Sequence, residues 1–404
     1  MNSPREDCPQ PPPLHPSREM PVSFLQHLRY HPRKLFLRRV LFQIHLWSGI
    51  LFSLYLIVIA LTGSLLVFKD ELTRTTLPPH LSAYQPAHTA SISSVMDAFQ
   101  RRYPTAHVTD LYTPWPTIPA YLLTAVTSTG AQFNLVADPV TATLYPQTRV
   151  WVNKVYDLHV FLLLGRAHGE QINAIGAAVL LLLCVTGLFL WWQGAANWTR
   201  ALVVSLSGNW RRINFDLHHA IGFWTLFIVF WWSLSGVYFG FYKPIVAVVN
   251  RISPLRGMAS PQLPSSISAG PHRASLQSIL AAARQASPQG RLFSISDPSL
   301  RGSVVYAQMD LRAPADFSHR DILSIDTANA QVLTDWHYGA NHSLGDWFLW
   351  SMHPLHFGTL WGLPFKILWC LLGISLSILT VTGIIMYWNR YLSHHVPARQ
   401  PPVA

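Results

Sequence analysis

The stretch IHLWSGI (residues 44–50) returns as LHHAIGF (217–223), and matching these two stretches decides the fold. In each, a His is followed four residues later by Gly, pairing His45 with Gly49 and His218 with Gly222. Further along, ALTGSLL (60–66) returns as SLSGVYF (233–239), so that Thr62-Gly63 matches Ser235-Gly236. A second pattern is also doubled. His159 precedes Gly165 and His356 precedes Gly362, each six residues on, and each of these segments ends in Thr-Gly plus Trp: Thr186-Gly187 with Trp191, and Thr382-Gly383 with Trp388. Self-similarity of this length means two copies of one unit.

Composition says what surrounds that unit. Of 404 residues, 50% are hydrophobic and only 12% charged, with 16 Trp, which is not the makeup of a water-soluble domain. A helix needs about 20 mostly apolar residues to cross the hydrocarbon of a bilayer. Four stretches qualify, near Leu41 to Phe68, Ile172 to Trp192, Phe215 to Tyr242 and Ile367 to Trp388. The net charge of +11 is scattered, without a basic aromatic motif, so nucleic acid is excluded as a partner and the lipid bilayer is the expected one. Cys184 and Cys370 lie inside apolar stretches and Cys8 in the Pro-rich start of the chain, so no disulfide or CxxC framework is expected. The first apolar stretch is too long, and starts too late, for a cleaved signal peptide.

Between the apolar stretches the repeat continues. SISSVMDAFQRRYP (91–104) and ASLQSILAAARQAS (274–287) read as amphipathic helices, each leading through alternating runs to VADPVTATLY (136–145) or SIDTANAQVL (324–333). The expected fold is therefore a membrane all-α four-helix bundle with two small α+β domains and an internal two-fold repeat. Its parts are a disordered tail (1–34), a first span (35–68), domain 1 (69–157), a ligand segment with the second span (158–192), a loop (193–214), a third span (215–242), domain 2 (243–350), a ligand segment with the fourth span (351–390) and a tail (391–404).

Basic residues set the expected orientation. Arg29, Arg33, Lys34, Arg38 and Arg39 precede the first span, Arg200, Arg211 and Arg212 fill the short loop, and Arg390 follows the last span. Both termini are then expected in the cytoplasm, with the two domains outside.

An ionisable residue within a span needs a reason, because burying it unpaired in hydrocarbon is costly. A lone His near a helix end is commonly an interfacial residue; four at matched positions are not so easily explained. By depth they pair as His45 with His218 toward the cytoplasm and His159 with His356 toward the outside. Neutral imidazole is a strong axial ligand of haem iron, and cofactors are held between facing helices. Zinc would need more ligands than two His, and no Cys or suitably spaced carboxylate supplies them. The Thr-Gly and Ser-Gly pairs fit cofactor clearance or ordinary helix packing equally well. His219, beside His218, has no counterpart next to His45 and reads as a solvated or propionate-linked neighbour. His168 and His353 flank the outer pair, and either could replace its partner. His394 and His395 read as polar tail. Trp115, Trp151, Trp336, Trp347 and Trp350 fit an interfacial belt or domain cores better than a ligand platform.

The motifs IHLWSG, YDLHVFLLLG (156–165), FDLHHAIGFW (215–224) and HPLHFGTLWG (353–362) resemble those of the PepSY-associated transmembrane family of bacterial iron-regulated inner-membrane proteins, which includes ferric-siderophore reductases. The resemblance spans about residues 35 to 392. It implies two outer PepSY domains, two haems b ligated by His45 with His218 and by His159 with His356, and electrons delivered outward to a ferric siderophore. The inner membrane of a bacterium is the implied location. No dinucleotide fingerprint, Walker loop, Ser-His-Asp set or HExxH is present, so a quinol or a separate reductase would be the electron donor, and no catalytic residue is assigned. The alternative is a non-enzymatic PepSY membrane protein that binds or senses a periplasmic ligand.

Overall fold

The computed structural model describes residues 36–147, 150–195, 198–265, 267, 273–312 and 318–393. The expectations for the tail 1–34, for Arg29, Arg33, Lys34 and Cys8, and for His394 and His395 lie outside these residues. Three helices are long and apolar enough to cross a membrane: α6 (Arg166–Trp191), α7 (Trp210–Gly240) and α11 (Gly362–Tyr387, prolonged to Leu392). At 26 residues α6 is about 39 Å long, more than the roughly 30 Å of hydrocarbon it must cross. The first expected span is broken. Helices α1 (Phe36–Leu51) and α2 (Ser53–Leu66) meet at Phe52 with a bend of 65°, and count as a fourth span when taken together. At the bend Ser53 Oγ donates to the Ile50 carbonyl at 2.9 Å, competing with the amide that an unbroken helix would direct there.

These helices pack α6 against α7 and α11 against α2 and α7, while α1 leans on α6. Small residues bring α6 and α7 together: a Cβ on Gly236 or Gly240 would run into Ala177 or Ala174 of α6. Gly236 and Gly240 form a GxxxG face, the usual means of close approach where lipid offers no hydrophobic drive between helices. On the outside, Trp224, Phe227 and Leu371 remain exposed, as lipid-facing side chains should.

The α+β portions are not the two separate domains expected. Strands β1 (His107–Tyr112), β2 (Tyr121–Val126), β3 (Gln132–Ala137) and β4 (Leu144–Pro146) join β5 (Arg291–Ser296), β6 (Val304–Asp310), β7 (Arg320–Asp326) and β8 (Val332–Tyr338) in one antiparallel sheet of order β4-β3-β2-β1-β5-β6-β7-β8. The seam is β1 against β5, with Leu111 opposite Ile295. Left alone, each half would expose its first strand as an open edge of unpaired backbone groups; pairing two such edges removes both. Helices α4 (Ile92–Arg102) and α9 (Leu276–Ala286) cover one face, where Phe99, Ile279, Leu111, Leu123, Ile295 and Leu323 form a continuous core. Each helix starts identically: Ser91 Oγ accepts from the Ser94 amide and Ser275 Oγ from the Ser278 amide, both at 3.0 Å. The matched endings VADPVTATLY and SIDTANAQVL are equivalent turns. Asp138 Oδ1 and Asp326 Oδ1 accept from amides two residues on, and Ala142 and Ala330 both take positive φ.

Short helices link sheet and spans: α3 (Lys69–Thr75), α5 (Trp151–Phe161), α8 (Tyr242–Ile252) and α10 (Leu344–Phe357). The ligand segments are thus helices that begin at Trp151 and Leu344, seven residues before the expected boundaries at 158 and 351. Gly169 at the α5–α6 corner lies so close to the Phe161 carbonyl that a Cβ would collide with it.

Helix α10 is fixed at its start by Asp346, which is fully buried. Its carboxylate accepts from the amides of Arg256, Gly257, Met258, His342 and Ser343 at 2.9 to 3.3 Å, while the Asp346 amide donates to Ser343 Oγ. Burial alone would raise its pKa. The bonds from Met258, His342, Gly257 and Arg256 outweigh burial and hold the group at about 2. A depressed carboxylate pKa stabilises the fold above the unfolded value of about 3.9, and the contribution disappears as pH falls toward the folded value. Replacement by Ala is therefore expected to cost about 2–4 kcal/mol at pH 7 by leaving these donors unpaired. The advantage of wild type over Asp346→Asn in thermal unfolding should shrink between pH 4 and pH 2; an advantage independent of pH would show that the charge plays no part.

Candidate functional site

The four histidines singled out by the repeat come together in two pairs. His45 of α1 and His218 of α7 lie with ring centres 6.5 Å apart at the end of the helices far from the sheet. His159 of α5 and His356 of α10 lie with ring centres 6.3 Å apart at the sheet end.

Each ring is fixed the same way, and the hydroxyl–glycine pairs do the fixing. Nδ1 of His45 bonds Thr186 Oγ1 at 2.9 Å, that of His218 bonds Thr382 Oγ1 at 2.9 Å, that of His159 bonds Thr62 Oγ1 at 3.0 Å, and that of His356 bonds Ser235 Oγ at 2.7 Å. Every one of these hydroxyls already donates its single proton to a carbonyl in its own helical turn, namely Leu182, Leu379, Val58 and Trp231. The hydroxyl must then accept from the imidazole, so Nδ1 carries the proton. Nε2 is left with its lone pair in all four rings. A hydrogen bond at the ring nitrogen away from the metal sets both the tautomer and the orientation of metal-binding His. The paired glycines give the rings room: a Cβ on Gly63 would stand 2.9 Å from His159 Cε1, one on Gly187 would stand 3.2 Å from His45 Cε1, and one on Gly383 would stand 3.4 Å from His218 Cε1. Gly236 departs from this pattern and serves the α6–α7 contact instead.

Around the far pair is a cavity of about 1060 Å³. Gly49, Gly187, Gly222 and Gly383 all line it, and so does His219. Its floor is apolar, and the charged side chains at its wall are Arg38, Arg39, Arg211 and Arg390, with no carboxylate among the lining residues. His219 packs on Phe215 with ring centres 4.2 Å apart.

The flanking candidates take other places. His353 Nδ1 bonds the Tyr338 hydroxyl at 2.6 Å and its ring packs on Phe239, while His168 is exposed on the first turn of α6. The ring pair at the sheet end is His159 with His356. Among the tryptophans, Trp115 is buried, Trp336 and Trp350 donate to the carbonyls of Gly257 and Ser318, and Trp151 and Trp347 are exposed.

Some participants escape the repeat. Asn173 donates to the His159 carbonyl at 2.7 Å and accepts from Tyr55 OH at 2.8 Å, and Asn214 donates to the Thr382 carbonyl at 3.0 Å. An Asn inside an apolar stretch is the signal that could have found the first. Arg38 donates to the carbonyls of Phe189, Leu190 and Trp192, binding α1 to the end of α6. In the sheet, Asp321, Asp335 and His337 are near enough to share an ion, but Asp321 is already engaged by Ser287 and His337.

The geometry defines a class: a multi-pass membrane protein with an internal repeat, two oriented imidazole pairs and a single extramembrane sheet. The family whose description is PepSY-associated TM region matches residues 42–390, and the chain belongs to it. No curated protein matches the chain.

Proposed function

We propose that the chain holds two haems b, one between His45 and His218 and one between His159 and His356, and passes electrons across a bacterial inner membrane to a ferric siderophore or similar acceptor on the sheet side. One observation carries the reading: the four imidazoles form two close pairs, and Nδ1 of each lies 2.7 to 3.0 Å from a Thr or Ser hydroxyl that already donates to a carbonyl of its own helix, an arrangement that favours a proton on Nδ1 and leaves Nε2 as the ligand atom. Metal–imidazole bonds of about 2.0–2.1 Å on either side of one ion put the two ring centres about 6 Å apart, and the observed separations of 6.5 and 6.3 Å fit. The far cavity also fits a flat, largely apolar guest with an anionic edge, since its floor is apolar and its rim cationic.

Haem, held by His45 with His218 and by His159 with His356, would supply one-electron redox chemistry. The chain's own part is to hold the four rings, keep Nδ1 protonated against Thr or Ser, and exclude water with the apolar layer of Leu56, Leu180, Leu183 and Val229. With both termini cytoplasmic, as the arginines of the far end favour, the far pair faces a quinol or reductase and the sheet-side pair faces the acceptor.

Absorption tests the cofactor. Purified protein should be red with a low-spin b-type Soret band, and after anaerobic reduction should reoxidise on addition of a ferric siderophore with release of trappable ferrous iron. Colourless protein favours a sensor or binding protein, and red protein that stays reduced across a panel of ferric chelates leaves an electron carrier with a different acceptor.

A further inference from the structure

We propose that the far cavity seats its haem with the propionates at the cytoplasmic mouth, held by His219 and the guanidiniums of Arg39, Arg211 and Arg390; this rests on the haem reading above. Cations gathered at one opening repel one another, and their arrangement is favourable only with an anion between them. Among the described residues no carboxylate lines the cavity to serve as that anion. Asp216, three residues before His219, is buried and engaged by Arg212 Nε at 3.0 Å and by the Ser205 amide. Arg38 is spent on the α6 carbonyls. Arg390 is held with its guanidinium 4.9 Å from the Phe42 ring centre, and Arg211 lies 5.8 Å from that of Trp210.

His219 adds direction. Its Nδ1 is buried with no hydrogen-bond partner among the described residues, although the ring lines the cavity. A buried N–H without an acceptor is unfavourable, so the proton belongs on Nε2, the edge left to face a guest. Carboxylate is the acceptor that such a donor and planar guanidiniums bind most strongly. The position matching His219 in the first repeat is Leu46, so the first half offers no equivalent donor.

The test uses full-length apoprotein titrated with haem and with haem dimethyl ester, which lacks the two charges. Wild type should prefer haem by about tenfold or more at the far site. His219→Leu and Arg390→Leu should each reduce that preference, and His219→Gln, which returns an N–H near the Nε2 position, should restore it. In redox titrations the far-side midpoint potential should fall in Arg211→Leu and Arg390→Leu, because a lost cation no longer opposes the ferric charge, while the sheet-side potential stays put. A preference kept at full strength in the variants, or absent from wild type that takes up both compounds, overturns the seating alone. Wild type that takes up neither overturns the haem reading and the seating with it.

Discussion

His45→Ala should leave a protein with one haem in place of two, still reducible by a chemical reductant and reoxidised by a ferric chelate, yet unable to carry electrons across the membrane. The two pairs stand toward opposite ends of the packed helices: His218 and Ser235, which holds His356, are separated by about 25 Å along α7. Losing the far pair leaves most of that distance without a carrier, so delivery from a cytoplasmic donor in sealed vesicles should drop to background. His159→Ala gives the converse. On the haem reading, the far haem should still be reduced by the donor while the acceptor stays oxidised. Pyridine haemochrome analysis counts the haems and vesicle assays follow the transfer; loss of both haems in every single variant would indicate misfolding and remove the two-site reading.

The second large effect is graded by distance. Gly63→Ala should empty the sheet-side site while sparing the far one, because its Cβ would stand 2.9 Å from His159 Cε1 and the ring is pinned by Thr62. Gly187→Ala, at 3.2 Å from His45, should weaken the far site, and Gly383→Ala, at 3.4 Å from His218, should be nearly tolerated. Haem content in the order Gly63→Ala, Gly187→Ala, Gly383→Ala, rising toward wild type, is the expected outcome. An equal effect at all three would mean that the glycines serve helix packing rather than the rings.

The histidines and their companions are legible in the sequence because a repeat shows the same residues twice at the same offsets. What the Thr-Gly pairs do is not. Packing and clearance have identical spacing, and only the hydroxyl bonds to Nδ1 separate them. The choice of His356 over His353 is likewise a matter of three dimensions: three residues apart on one helix, they differ in that Tyr338 of β8 claims the latter. The continuous sheet leaves no local mark either, since β1 and β5 pair across a long separation through backbone groups any residue possesses. The break at Phe52 has no Pro to announce it; Ser48-Gly49 stands one turn before it, and the Ser53 hydroxyl bonds the Ile50 carbonyl there. The apolar helices, by contrast, are visible because bilayer thickness imposes a length that composition displays.

The hydroxyl that orients each histidine always comes from the same half of the chain: Thr62 and Thr186 serve His159 and His45, while Ser235 and Thr382 serve His356 and His218. Each half is thus a finished set of monodentate ligands, and each pair is completed only across the boundary between halves. One half alone would have to join a second copy, edge to edge through its first strand, to complete either pair. The two copies differ in detail: the first helix of one is broken at Phe52, Leu46 stands where the other has His219, and Gly236 holds its neighbour. Any group that binds at either pair acts as a rivet between the halves, so cofactor loading and the joining of the two copies are coupled equilibria.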